Sequence, residues 1–448
     1  MEVSNAKFVK MTTQPVKQLV LRLAGPTIAS MLISSLYNMA DTFFVGRMGT
    51  FATAGVGLIF PLMTLMQACG FFFGQGSGNY VSRSLGANKQ EDAEKMAATG
   101  FFCALGMGVL ILLLGQLFSV PVFRVLGADP GKVAQETVDH ARAYYTTLLF
   151  GAPFVLTSCV LNNQMRFQGN ASFAMMGIVF GAVLNVALDP LFIFAFHWGI
   201  AGAAWATVVS QTASFILLIV MNRYGENIRI DMRLFSRSWL YVREILAGGT
   251  PSLTRQTLGC IATIMLNVAA GAYGDHAIAA MSIVTRITFV IFSVIIGLGQ
   301  GFQPLCGFSY GAGLFRRVRR GFFFTVALGT AFLFFCAVVL YLFAPQVVAV
   351  FRDDPTVVSV GAEALQWQVL AYPLGSLTMT SNMLLQTIRK PWRANLLAGA
   401  RRGLFFIPLI IILPQCYGLW GVIICQPLCD VAAFLLTLPV IYSVIRKL

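Results

Sequence analysis

The chain has 448 residues, of which 57% are hydrophobic and only 11% are charged, and its mean hydropathy is +0.77. A soluble domain carries about 25% charged residues, so this composition excludes soluble, secreted, disordered and fibrous proteins and predicts a polytopic membrane protein. The net charge is +14, which in another setting indicates nucleic-acid binding. Here the Lys and Arg residues lie between apolar segments, as the positive-inside rule describes, and no nucleic-acid partner is expected.

Twelve segments are apolar and long enough to cross a bilayer, since a spanning helix needs about 20 mostly apolar residues. The predicted fold is therefore an all-α polytopic membrane protein with twelve transmembrane helices. The segments lie near 20–46, 53–80, 96–118, 136–163, 168–192, 200–222, 245–270, 277–303, 321–343, 357–385, 394–414 and 419–445.

The distribution of Lys and Arg among the connections predicts the orientation of the chain. If the N-terminus is cytoplasmic, the inner connections carry 22 of these residues and the outer ones 4. Both termini are therefore expected in the cytoplasm. The first apolar segment is too long for a signal-peptide core and lacks a small-x-small cleavage site, so we expect it to be retained. This organisation fits a bacterial inner (plasma) membrane.

The two halves of the chain repeat each other at a spacing of 225 residues. Pro26 falls on Pro251, and the triplet Gly74-Gln75-Gly76 falls on Gly299-Gln300-Gly301. Shared Gly and Pro mark shared backbone geometry. We therefore predict two pseudo-symmetric six-helix bundles, at 1–222 and 245–448, joined by a basic cytoplasmic linker at 223–244. Transporters built from parallel repeats alternate access by rocking one bundle against the other.

Other functional classes find little support in the sequence. No short selectivity filter indicates a channel, and no Walker A pattern indicates direct use of ATP. The three histidines, His140, His197 and His276, lie far apart and lack metal-ligand spacing. The nine cysteines lie in or beside apolar segments, where they are expected to be small apolar residues. An enzyme, a cofactor and a transition-metal site are therefore not expected.

Three motifs, in order along the first half, resemble those of one known family. Residues 38–46 read NMADTFFVG, residues 185–193 read NVALDPLFI, and residues 199–207 read GIAGAAWAT. Together with the doubled six-helix frame, they make the chain resemble the multidrug and toxic compound extrusion (MATE) family, DinF-like branch, over essentially its whole length. The resemblance implies a cation-coupled exporter of amphipathic compounds.

Two carboxylates stand out within the first-half membrane segments, where a charge is costly and usually has a function or a partner. Asn185 lies one turn before Asp189, and Thr207 is at a similar depth to Asp41 and Asp189. These groups suit either shared protonation or an oxygen-ligated Na⁺. Alternatively each aspartate caps or pairs locally near the outer interface, as Asp189 before Pro190 suggests. The resemblance implies that these four positions carry the cation site, as Na⁺ ligands if coupling uses Na⁺.

The second half departs from this pattern. Asp41 maps onto Leu266, and Asp189 falls near Leu409. Ion coupling is therefore expected in the first half, with Glu363 as a weaker rival site. The remaining membrane-depth charges are expected to form a structural ion pair between helices, with gating as the alternative. They are Asp430, with Arg255, Arg286 or the Arg401–Arg402 pair as partners.

The cargo side is predicted mainly from the resemblance, which implies that Tyr37, Asn162 and Asn185 line the substrate cavity. Asn163 lies beside Asn162, and Met31 and Met176 are candidates for adaptable apolar walls. Buried carboxylates attract organic cations, so amphipathic cations are the expected cargo.

The sequence as a whole predicts a secondary active antiporter that exchanges amphipathic drugs or metabolites for H⁺ or Na⁺. The alternative is a lipid-linked oligosaccharide or lipid flippase of the same superfamily, which Arg255, Arg286 and Arg401 keep open. The expected partners are small-molecule substrates and membrane lipid, and a monomer is sufficient for this architecture. The residues leave the physiological substrate and the choice between H⁺ and Na⁺ open.

Overall fold

The computed structural model describes residues 2–125, 134–352 and 354–448, and all regular secondary structure in these ranges is helical. This confirms the predicted all-α class. It also follows from the apolar composition, because a helix satisfies its backbone hydrogen bonds internally and can therefore lie in lipid.

The first half of the chain contains nine α-helices within the described residues. A π-helical turn, Leu191–Ala195, follows the eighth of them. The helices are α1 (Glu2–Thr13), α2 (Val16–Gly46), α3 (Thr50–Gly86), α4 (Gln90–Leu117), α5 (Ser119–Val125), α6 (Gln135–Phe150), α7 (Ala152–Phe167), α8 (Ala171–Pro190) and α9 (Gly199–Tyr224).

The described part of the second half also contains nine α-helices, and its π-helical turn, Ala400–Leu404, lies between the seventh and eighth of them. A short 3₁₀ turn, Met232–Leu234, lies in the connection between the halves. The helices are α10 (Trp239–Gly271), α11 (Asp275–Gly311), α12 (Phe315–Leu342), α13 (Ala344–Phe351), α14 (Pro355–Leu370), α15 (Tyr372–Thr387), α16 (Pro391–Gly399), α17 (Phe406–Tyr417) and α18 (Leu419–Ile445).

Each of the twelve predicted spans corresponds to one helix or to one interrupted helix. Nine helical segments of the described chain are long and apolar enough to cross a membrane, and α6 with α7, bent by 51°, forms a tenth span. The remaining two of the twelve predicted spans correspond to α10 and to the α14–α15 pair, which are less apolar. The predicted twelve-helix architecture is thus present, with the fourth and tenth spans each divided into two helices and the eleventh divided into α16 and α17 by a π-helical turn.

Packing divides the chain into two compact units. The first comprises Met1–Lys10 and Ala29–Gly249, and the second comprises Met11–Ile28 and Thr250–Leu448. This division differs from the predicted boundaries at 222 and 245, because the first part of α2 packs with the second unit and the first part of α10 with the first unit. Both changes occur close to a proline inside the helix, Pro26 in α2 and Pro251 in α10.

The repeated glycine triplets lie where helices approach each other closely within each unit. In the first unit, a Cβ on Gly76 would lie 2.5 Å from the backbone oxygen of Ile245. In the second unit, a Cβ on the equivalent Gly301 would lie 2.5 Å from the Cα of Ala24. The shared glycines therefore permit the same close helix crossing in both units.

Candidate cation site and membrane-depth charges

Asp189 lies inside a continuous helical segment rather than at a helix end. It is fully buried on α8, and the chain continues past Pro190 into the π-helical turn Leu191–Ala195. Proline has no backbone N–H, so the α-helical hydrogen-bond ladder cannot continue unchanged past this point. The segment ends at Ala195, and neither carboxylate oxygen of Asp189 has a hydrogen-bond partner, so Asp189 does not cap this helix end.

Asn185 and Thr207 join α8 to α9 beside this carboxylate. The buried Asn185 donates a hydrogen bond from Nδ2 to the Thr207 hydroxyl at 3.4 Å. The Thr207 hydroxyl in turn donates to the Ala203 carbonyl at 3.2 Å. The amide oxygen of Asn185 has no hydrogen-bond partner and is buried. The structure thus brings Asn185, Asp189 and Thr207 together, as the sequence predicted.

Asp41 on α2 belongs to the same group of side chains. Its charge interacts with that of Asp189, and Tyr37, one turn earlier on α2, interacts with both carboxylates. We call the side chains of Tyr37, Asp41, Asn185, Asp189 and Thr207 the acidic cluster. Four of its buried oxygen atoms lack a hydrogen-bond partner: Asp41 Oδ1, Asn185 Oδ1 and both carboxylate oxygens of Asp189. Burying hydrogen-bond acceptors without a donor costs free energy, so binding of a proton or a cation would stabilise the cluster.

Tyr144 on α6 is a further member of the acidic cluster that sequence reasoning missed. Its side chain is fully buried, lies beside the Thr207 hydroxyl and interacts electrostatically with Asp41, Asp189 and Tyr37. Its hydroxyl is 3.7 Å from the Met63 sulfur. The sequence analysis considered charged residues in the membrane segments and therefore did not select an uncharged tyrosine. Its position within a span could have indicated a role, because the hydroxyl of a buried tyrosine usually has a hydrogen-bond partner.

The chemistry of the acidic cluster is that of a hard cation or a proton. Its atoms are carboxylate, amide and hydroxyl oxygens, which are the ligands that hard cations prefer. No group of three or more His, Cys, Asp and Glu residues with the geometry of a metal site occurs among the described residues. The cluster therefore offers two charged ligands and neutral oxygens.

The predicted cargo residues do not form one network with Tyr37. Asn162 donates to the Ala174 carbonyl at 2.8 Å, and its repeat equivalent Asn382 donates to the Ala394 carbonyl at 2.6 Å. The same bond in both units indicates a role in joining helices. Asn162 itself is buried.

Asn163 lies in a buried polar group that the sequence analysis did not anticipate. Its Oδ1 accepts hydrogen bonds from Gln75 at 3.1 Å and from Arg166 at 2.5 Å. Of the two methionines predicted to line the cargo site, Met31 is partly buried, whereas Met176 is exposed.

In the second unit, Asp430 pairs with Arg401, one of the partners that the sequence left open. Arg401 donates to both carboxylate oxygens of Asp430 through Nε and Nη2. Gln368 and Gln426 donate to the same carboxylate at 3.1 and 3.3 Å. The Arg401 guanidinium also lies 4.4 Å from the centre of the Phe292 ring. Each carboxylate oxygen of Asp430 thus accepts two hydrogen bonds, as a structural pair buried within a membrane protein requires.

The other candidates in the second unit occupy different surroundings. Arg255 donates to Asn382 Oδ1 at 3.0 Å and to the Ser252 hydroxyl at 3.4 Å. Arg286 and Glu363 are both exposed. The structure therefore does not bring Arg286 to Asp430, and it does not place Glu363 in a buried acidic group.

Comparison with known proteins agrees with the repeat and with the helical architecture. The profile of the MatE family matches twice, at residues 26–191 and 251–412, so that the two matches begin at Pro26 and Pro251. The chain is 25% identical over 425 residues to the multidrug export protein MepA of Staphylococcus saprophyticus. This alignment covers 93% of this chain and 92% of that protein. The chain is also 25% identical over 430 residues to MepA of Staphylococcus aureus, with coverages of 94% and 93%.

Solved structures resemble the chain over almost its whole length. One of them, described as the outward-facing conformation of a multidrug resistance MATE family transporter of the MOP superfamily, matches with a TM-score of 0.90. It is 26% identical and covers 98% of this chain and 99% of its own.

Proposed function

This chain belongs to the MATE family of membrane transporters, and we propose that it is a secondary active antiporter. It exports amphipathic, often cationic, drugs or metabolites in exchange for H⁺ or Na⁺ by alternating access. The similarity to multidrug export proteins supports this cargo class. The termini face the cytoplasm of a bacterial cell, the chain lies in its plasma membrane, and a monomer carries out transport.

The observation that carries the proposal is the set of four buried, unpaired oxygen atoms in the acidic cluster. A proton on one carboxylate supplies the missing donor, and a Na⁺ ion supplies a positive charge to the oxygens. Either event removes the cost of burying unpaired acceptors. Asp41 and Asp189 are the charged ligands, and Asn185 and Thr207 supply neutral oxygens.

Cargo and ion exclude each other because both neutralise the same carboxylates. An organic cation near Asp41 and Tyr37 favours the deprotonated or Na⁺-free cluster, and ion entry releases the cargo. Tyr37 and Met31, on the same helix as Asp41, contribute to cargo binding, whereas Asn162 and Asn163 join neighbouring helices. Pro26, near the point where α2 changes from one unit to the other, lets α2 bend when the charge of the cluster changes.

Ethidium efflux from proteoliposomes tests the proposal and names the ion. We expect efflux under an imposed pH gradient or an imposed Na⁺ gradient, but not in vesicles without a gradient. Dependence on the pH gradient alone identifies H⁺, and dependence on Na⁺ alone identifies Na⁺. Efflux that proceeds equally without any gradient would contradict secondary active antiport.

The alternative is a flippase for lipid-linked oligosaccharides or other lipids, and one observation favours it. Arg255 and Arg402 of the second unit lack a carboxylate partner within the described chain, and such groups suit a lipid phosphate. The same vesicles decide between the two functions. A flippase moves a fluorescent lipid between leaflets without an ion gradient, whereas the antiporter leaves that rate at the level of protein-free vesicles.

A further inference from the structure

Two arginine side chains of the second unit lie together on one face of α10. Arg255 belongs to that helix, and Gly259 follows it by one turn. A Cβ on Gly259 would lie 2.5 Å from Nη1 of Arg402, so the Arg402 guanidinium rests directly on the backbone of Gly259. Positions one turn apart are about 5–6 Å apart on a helix surface. The two positive charges are therefore neighbours, and they repel each other.

The positive charge of this arginine pair is not compensated by nearby carboxylates. Arg255 donates only to neutral oxygens, those of Asn382 and Ser252. Arg402 has neither a hydrogen bond nor an ion pair with any residue in the described ranges. Asp430 is the carboxylate whose charge reaches Arg402, and it is already bound by Arg401 and two glutamines.

Two uncompensated guanidinium groups at membrane depth are costly, and such groups usually serve a ligand or an ion pathway. The planar guanidinium presents several N–H donors and matches the two oxygens of a carboxylate or phosphate. Gly259 leaves the space over α10 in which the Arg402 guanidinium lies. Both arginines are only partly buried, so donors remain available to a bound group.

We infer that Arg255 and Arg402 form a binding site for an anionic group, a carboxylate or phosphate, on the transported molecule. This inference rests on the proposed export function and names the residues that bind the anionic group of those cargo molecules that carry one. The Arg401–Asp430 pair positions Arg402 by fixing its neighbour in the π-helical turn.

Two dyes that differ by one ester test this inference. Rhodamine 123 is a cation, and rhodamine 110 is the same dye with a free carboxylate. Binding of each to the whole protein in phosphatidylcholine nanodiscs is measured by fluorescence anisotropy. In Arg402→Gln we expect the affinity for rhodamine 110 to fall by about ten- to a hundredfold, as for loss of a charge-assisted hydrogen bond, with rhodamine 123 unchanged.

Two further variants separate the anion site from a structural effect. Gly259→Ala keeps both charges but displaces the Arg402 guanidinium, and should weaken rhodamine 110 selectively. Arg286→Gln removes an exposed arginine of the same unit and should leave the ratio of the two affinities unchanged. Equal losses for both dyes in Arg402→Gln, or no loss for either, would overturn the inference.

The lipid source of an anionic group is distinguished in the same assay. If the arginine pair binds a lipid headgroup, phosphatidylglycerol stabilises the wild type but not Arg402→Gln, and the two dyes respond alike. That result would overturn assignment to the cargo. The assay measures binding without transport, so failure of ion-driven efflux would contradict the antiporter proposal while leaving the dye ratio as a separate result.

Discussion

Near the end of α8 the first unit buries Asn185 and Asp189, whereas the equivalent span of the second unit, from α16 to α17, carries Arg401 and Arg402 closer to its middle. The π-helical turn ends this span in the first unit, at Leu191–Ala195, and lies between α16 and α17 in the second unit, at Ala400–Leu404. The equivalent spans therefore carry opposite charges at different positions along the helix. The two units thus share the glycines, the proline and the asparagine that determine how their helices pack, but they differ in the charged side chains that these helices carry.

The two buried aspartates also differ in how their oxygens are satisfied. Both carboxylate oxygens of Asp189 lack a hydrogen-bond partner, whereas Asp430 accepts from Arg401, Gln368 and Gln426. A carboxylate that exchanges an ion must have a low-cost state with the ion and a high-cost state without it. A fully paired carboxylate has no such difference. Hydrogen-bond satisfaction therefore distinguishes Asp189, which we propose to couple transport to the ion, from the paired Asp430.

The largest effect is expected from neutralising the acidic cluster. Asp189→Asn and Asp41→Asn should each lower ion-driven ethidium efflux by about tenfold or more, since 1.4 kcal/mol of lost ion binding is a tenfold change. Initial efflux rates in proteoliposomes provide the measurement. Asp139→Asn, an exposed aspartate of the same unit, is the matched control and should keep the wild-type rate. Wild-type efflux in Asp189→Asn would show that the cluster does not couple transport.

The next effect is on stability and concerns the second unit. Arg401→Gln leaves Asp430 buried without its cation, and breaking a buried pair in this way costs about 3–5 kcal/mol. We expect a clearly lower melting temperature in detergent for Arg401→Gln. The double variant Arg401→Met/Asp430→Leu should recover part of the loss, because it removes both charges of the pair. A double variant that is less stable than Arg401→Gln would contradict a mainly structural role.

A smaller effect is expected at Tyr144. Tyr144→Phe removes one hydroxyl beside Thr207 and the two carboxylates, and a hydrogen bond of about 0.5–1.5 kcal/mol corresponds to a loss of roughly two- to tenfold. We expect weaker ion dependence of efflux with an unchanged melting temperature. Tyr145→Phe, at the adjacent buried tyrosine whose hydroxyl donates to the Gly115 carbonyl, is the control. Equal effects on ion dependence would remove Tyr144 from the cluster.

The smallest effect concerns α1, outside the membrane segments. Lys7 donates to the carbonyls of Gly225 and Glu226 at 3.0 and 2.6 Å. Burial lowers the pKa of Lys7 to about 8, and the charge of Glu226 opposes this shift. Between pH 8 and about 10.5 the unfolded chain therefore binds more protons than the folded chain, so Lys7 contributes increasing stability as the pH rises.

Comparison of melting temperatures at pH 7.5 and pH 10 tests this sign. The wild type should gain stability relative to Lys7→Met over that interval. A constant difference between the two proteins would show that Lys7 has the same pKa in both states.

The sequence predicted the helices because their length and apolar composition are strong, local signals. It also predicted Asp41, Asn185, Asp189 and Thr207 as a group, partly through the family resemblance, and it included Arg401 among the partners of Asp430. It could not predict the π-helical turns, since hydropathy does not distinguish them from α-helix. Tyr144 was missed because its role depends on four neighbours that lie on three other helices.

The exchange of Met11–Ile28 into the second unit was missed for a similar reason. Along the chain these residues are continuous with the rest of α2. Only the packing of Ala24 on Gly301 and Ile28 on Gly297 reveals their place. Pattern analysis assigns whole helices to bundles, whereas packing can divide a helix at a proline.

The central claim is that ion coupling belongs to the acidic cluster of the first unit and not to the Arg401–Asp430 pair. The most direct measurement is cargo-driven ion movement, in which ethidium is added to proteoliposomes and the counter-movement of H⁺ or Na⁺ is recorded. The double variant Arg401→Met/Asp430→Leu should retain this counter-movement, and Asp189→Asn should lose it. Loss of ion movement in the double variant, with normal ion movement in Asp189→Asn, would contradict the account.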